Sequence, residues 1–160
     1  MASNVPTVRQ IAWISMVPQL LVMGLLIFGY YLAGSQEFLF YAPFTYLAIS
    51  NALRYLIPKD HRQGMNLVKQ KYFQEAIPCF KKSYEFFTRY SWVDKYRFLT
   101  LLSSSKMCYK EMALNNIAFC HGQVGEVDKA VEYYNRTLTE YPDNELAKAG
   151  MNLLKAGERK

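Results

Sequence analysis

The chain has 160 residues, room for one compact domain and an appendage. Its net charge of +6 is unevenly spread: seventeen of nineteen Lys/Arg and twelve of thirteen Asp/Glu lie from residue 58 onward. That division excludes an ordinary water-facing surface for the first part. The three cysteines, Cys79, Cys108 and Cys120, lack CxxC spacing, which argues against a disulfide framework or a zinc site.

Reduced, buried thiols are therefore expected, as in cytosolic proteins. Residues 1–10 read as a short tail. Residues 11–33 follow as IAWISMVPQLLVMGLLIFGYYLA, 23 positions without a charge. About 20 apolar residues cross a bilayer core as a helix, so this segment predicts a span. Pro18 predicts a bend near its start. Residues 34–37 form a turn, and residues 38–57 predict a second, weaker span because they hold Asn51 and Arg54. Trp13, Tyr30, Tyr31, Phe38, Tyr41 and Tyr55 lie toward the ends of both, as interfacial aromatics do.

Arg9, Arg54, Lys59 and Arg62 flank the pair, whereas the turn has no Lys or Arg. The positive-inside rule then places both termini and the following domain in the cytoplasm, as a multi-pass protein of the cell (inner) membrane. The alternative is that only the first segment spans and the domain faces the other side. The length of the first apolar run and the lack of a small-x-small site argue against a cleaved signal peptide.

After Pro58 the apolar residues recur every three to four positions, through Phe73, Ala76, Ile77, Phe80 and Tyr84. A second such unit runs from Leu114, Ile117 and Ala118 to Val127, Ala130, Val131, Tyr134 and Leu138. Pro142 ends it, and Asp143 and Asn144 supply a cap for another helix.

The stretch NNIAFCHGQVGEVDKAVEYYNRTLTEYPDN resembles a tetratricopeptide repeat (TPR), with Ala118, Gly125, Ala130, Tyr134 and Pro142 in the family's order. GMNLVKQKYFQEAIPCFKKS looks like a degenerate copy, with Gly64, Ala76 and Phe80 matching but Lys71 where Gly is usual and no closing Pro. Ala76 and Ala130 are 54 residues apart rather than the family's 34, which predicts an inserted helix near 91–110, broken by Ser103, Ser104 and Ser105. The expected fold is all-α: a transmembrane hairpin over 11–57 and a TPR-like antiparallel array over 58–160, closed by a capping helix at 145–156.

The resemblance implies a protein-interaction module whose ligand contacts lie on the first helix of each pair. Those positions are Asn115, Asn116, Phe119 and Gln123 in the second unit, with Met65 and Lys69 in the first. Only Asn116 stands where family members that clamp a C-terminal carboxylate carry a matching residue, so that mode is not expected. The basic residues Lys59, Arg62, Lys69 and Lys71 form a candidate contact for anionic lipid.

No catalytic motif is visible, His61 and His121 lack sequence partners, and neither an enzyme activity, a cofactor nor a bound metal is expected. Nor is nucleic-acid binding, since Lys and Arg elsewhere alternate with acids. The expected role is an adaptor at the cytoplasmic membrane surface that recruits a protein or peptide. The rival role is a structural or assembly subunit of a larger membrane complex. Two repeats are fewer than the three usually needed, so self-association is a further possibility.

Overall fold

The computed structural model describes residues 15–158, and nothing in that range is a β-strand. The tail at 1–10, Arg9 and Trp13, and the first four positions of the expected first span lie outside the described residues. Among the described residues nine helices follow one another: α1 Met16–Leu32, α2 Phe38–Leu56, α3 Lys59–Lys69, α4 Phe73–Arg89, α5 Ser91–Lys95, α6 Arg97–Thr100, α7 Tyr109–Gln123, α8 Val127–Glu140 and α9 Glu145–Glu158.

Helices α1 and α2 form the hairpin that the apolar runs predict. Gly34, at φ +71°, turns the chain between them. Tyr30 and Thr45 share a hydroxyl hydrogen bond of 2.8 Å, and the Tyr31 and Phe38 rings meet edge to face at 5.8 Å. Pro18 sits in the first turn of α1, where a missing N–H costs no intrahelical bond.

The expectation of a membrane crossing is corrected here: among the described residues no helix is long and apolar enough to cross a membrane. With 17 residues, α1 is about 25 Å long against a hydrocarbon core of about 30 Å. Helix α2 has 19 residues, but Thr45, Ser50, Asn51 and Arg54 dilute its apolar character. The multi-pass inner-membrane placement, with both termini and the array cytoplasmic, is withdrawn with it. What remains is an apolar hairpin with exposed side chains on both helices, among them Leu20, Leu25, Phe28, Leu39, Phe44 and Leu47.

Both helices of the hairpin are tied to the rest of the chain through the inserted segment. Gln19 Nε2 donates to the Leu102 carbonyl at 3.2 Å. The Arg54 guanidinium donates to the carbonyls of Leu101 and Leu102. Leu102, whose oxygen accepts these bonds, holds φ +46°, in the left-handed region.

The array begins directly after, with Pro58 preceding α3. Helix pairs α3–α4 and α7–α8 repeat the same construction in the same register. Gly64 and Ala118 stand seven residues before their turns, Ala76 and Ala130 five after, and Phe80 and Tyr134 nine after. The turns match too. Gly125 has φ +82° and Lys71 φ +66°, and in each the next amide reaches back five residues: Tyr72 to Leu67 and Glu126 to His121.

The close approach of α3 and α4 depends on Gly64, where a Cβ would lie 2.8 Å from the Phe80 ring. Phe80 is fully buried with Val68, Ala76, Ile77, Ile117 and Cys120. A buried side chain of that size contributes about 1.5–3 kcal/mol. Helix α7 is packed by α3, α4, α8 and α9 and buries most of its surface from Ala113 to His121, leaving Asn116 and Phe119 half-buried on one face.

The inserted helix near 91–110 is resolved into two short helices, α5 and α6, and an irregular run that reaches α7. Asp94 on α5 is buried, and its two oxygens accept the Tyr109 and Lys110 amides at 2.8 and 2.9 Å. The insert therefore caps the N-terminus of α7, where anionic groups are favoured. A second cap comes from Cys108, whose Sγ accepts the Glu111 amide while the Glu111 carboxylate accepts the Cys108 amide. The other oxygen of Glu111 accepts from Asn144 Nδ2, and Asn144 Oδ1 accepts the Ala147 amide, which caps α9.

Candidate functional site

A groove of about 370 Å³ lies between helices α7 and α9. Asn115, Asn116, Phe119, Gly122 and Gln123 line it from α7, Leu146, Ala149, Gly150, Leu153 and Leu154 from α9, with Tyr134 of α8 between them. The size falls at the low end of ligand pockets, about 300–1,000 Å³.

Several features fix its shape. A Cβ on Gly150 would overlap the Tyr134 ring, so glycine lets the ring pass under α9. Burial raises the Tyr134 phenol to about 12, so the ring stays neutral. Phe119 meets Phe73 edge to face at 5.9 Å. Leu153, which lines the groove from α9, is 72% exposed.

Asn115 is 6% exposed. Its Nδ2 donates to the Glu111 carbonyl at 3.2 Å, which fixes the orientation of the amide. Among the described residues no group reaches its Oδ1. A buried acceptor without a donor is costly, and such groups are few in native proteins.

The site expected from sequence is thus partly assembled. Asn115, Asn116, Phe119 and Gln123 are brought together on one wall. Met65 and Lys69 are not in the groove. Met65 packs against the core of the first unit, where Asn116 Nδ2 approaches its sulfur at 3.5 Å. Lys69 is exposed at the end of α3.

The basic set divides likewise. Lys59 and Arg62 share an open cleft of about 420 Å³ with Tyr55, Asp60, Gln63 and Asn66. Arg62 lies over the Tyr55 ring at 3.4 Å and donates to the Tyr55 carbonyl. Lys69 and Lys71 lie at the other end of α3, about 15 Å along its axis. The four do not form one patch.

Both histidines are engaged in packing. His61 is 7% exposed between the Phe80 and Tyr109 rings, with Ser83 Oγ 3.4 Å from Nδ1. Burial lowers its pKa to about 4, so it is neutral at pH 7. His121 is buried, stacks on Tyr133 and meets Glu126 Oε2 at 2.5 Å, clasping the α7–α8 turn.

The α9 wall was missed by the sequence reading, which treated 145–156 as a cap. Leu146 and Leu153 recur at a spacing of seven, and Ala149 lies between them, so the signal was present. No protein-family model, curated protein or solved structure matches the chain.

Proposed function

We propose that the chain is a TPR-like protein-interaction module that holds a segment of a partner protein in the groove between α7 and α9. The observation that carries this reading is a groove between α7 and α9 lined by apolar and amide side chains, with Leu153 exposed at it. The common register and turns of α3–α4 and α7–α8 support the repeat assignment. On this reading the module is an adaptor, without a catalytic role.

The test is site-specific crosslinking in cells with the full chain. A photo-reactive residue at Leu153 should capture a discrete partner that the same residue at Lys82, exposed on α4, does not. Equal capture from both positions, or none from Leu153, contradicts the reading.

A second reading is favoured by one observation, the exposed apolar surface of α1 and α2. Contiguous apolar patches of this kind mark association surfaces. On that reading the chain is a structural or assembly subunit whose hairpin packs against other subunits, a second copy included. Sizing of the purified full chain distinguishes the two, since a lone monomer at micromolar concentration counts against assembly through the hairpin.

A further inference from the structure

Helix α2 turns one side to α1 and leaves the other bare. Ala42, Thr45 and Leu53 lie on the first side, buried or half-buried, where Thr45 bonds to Tyr30 of α1. On the other side Glu37, Phe40, Phe44, Leu47, Asn51 and Arg54 are exposed. They follow one another at steps of three and four, the heptad period by which two helices pack side by side.

The two ends of this stripe carry opposite charge. Glu37 stands at the tip of the hairpin and makes no ion pair among the described residues. Arg54 stands at the base, with Lys59 and Arg62 just beyond it. Its Nε and Nη2 donate to the insert, which holds the side chain in place and leaves Nη1 to a carboxylate. Residues 38–53 between the two ends carry no charge.

These charges select a direction. Two copies of α2 laid antiparallel bring each Glu37 to the other copy's Arg54, Phe40 to Asn51 and Phe44 to Leu47. The two arrays, which carry nearly all of each chain's net charge of +6, then lie at opposite ends. Laid parallel, the copies would set Glu37 on Glu37 and Arg54 on Arg54 and crowd the two basic arrays together. Lipid offers the Glu37 carboxylate no partner at all. Surface is sufficient: the exposed large apolar side chains of α1 and α2 present on the order of 1,500 Å², against about 800 Å² from each partner in a standard interface.

We propose that the chain forms a two-fold symmetric dimer through α2, packed antiparallel on the α2 of a second copy, with Glu37 of each paired to Arg54 of the other. The proposal rests on the assembly reading above and gives it a partner and a register. The same patch serves both copies, as a closed two-fold interface requires.

The experiment uses the purified full chain. Sedimentation equilibrium should show a dimer at micromolar concentration. Glu37→Arg, at an exposed position, should weaken it by about tenfold, and Leu47→Glu by more. A photo-reactive residue at Phe40, mixed with an isotopically labelled copy, should attach near Asn51 of that copy. Attachment near Phe40, or a dimer indifferent to Glu37→Arg, overturns the antiparallel register and leaves the assembly reading standing. A chain that stays monomeric overturns both. A monomer that floats with phosphatidylcholine–phosphatidylserine vesicles assigns the stripe to lipid instead.

Discussion

At the scale of single residues, the turn between paired helices shows how physical constraint and sequence diverge. Lys71 occupies the left-handed conformation that Gly125 occupies in the second unit. The sequence reading took Lys71 as a weakness in the repeat, and the backbone shows that the geometry persists without the glycine. A side chain in this region costs roughly 1–2 kcal/mol, partly offset by about 0.5–1 kcal/mol of lower chain entropy. Lys71→Gly should therefore stabilise the chain by about 0.5–1 kcal/mol, and Gly125→Ala should destabilise it by about 1 kcal/mol, as read by chemical denaturation.

His61 offers a second residue-scale test. Its folded pKa of about 4 lies below the ordinary value of 6.5, so the unfolded chain binds the extra proton. The contribution of this group is full above about pH 6.5 and is lost as pH falls toward 4. The total is on the order of 3 kcal/mol at most. His61→Gln should flatten that part of the stability–pH curve. Neither Gly64's contact with Phe80 nor the burial of His61 between two rings was legible beforehand. Both depend on which faces of distant helices meet.

At the scale of elements, helices α3, α4, α7, α8 and α9 were legible because apolar residues recur at helical spacing and Pro142–Asn144 punctuates the chain. The insert was legible only as surplus length. Its role as a cap on α7 arises from Asp94, fifteen residues before Tyr109 in sequence but adjacent in space. Local cap rules look for Ser, Thr, Asp or Asn directly before a helix, where this chain has Cys108. Asp94→Ala removes both charge-assisted bonds and should cost about 1–3 kcal/mol. Amide exchange should rise first at 109–111, and Asp94→Asn should lie between the two. Unchanged exchange there would mean that the Cys108–Glu111 cap suffices alone.

At the scale of the whole molecule, the sequence sets an apolar first part against a charged second part near residue 58. The consequence of that contrast was overstated. A run of apolar residues in sequence does not establish a helix of spanning length. In the structure α1 is 17 residues long, and polar Gln19 and Arg54 bind the carbonyls of the insert. The groove was half legible. Its α7 wall follows from the repeat pattern, whereas its α9 wall requires the terminal helix to expose leucine where a cap would be polar.

The two interaction surfaces, groove and hairpin, predict different responses to a ligand. Methyl-detected NMR of the full chain, titrated with a Leu-containing peptide, separates them directly. The account predicts shifts at Leu146, Ala149, Leu153 and Leu154, with the methyls of Leu25, Leu39 and Leu47 unmoved. Shifts confined to the hairpin methyls, with the α9 set silent, would contradict it.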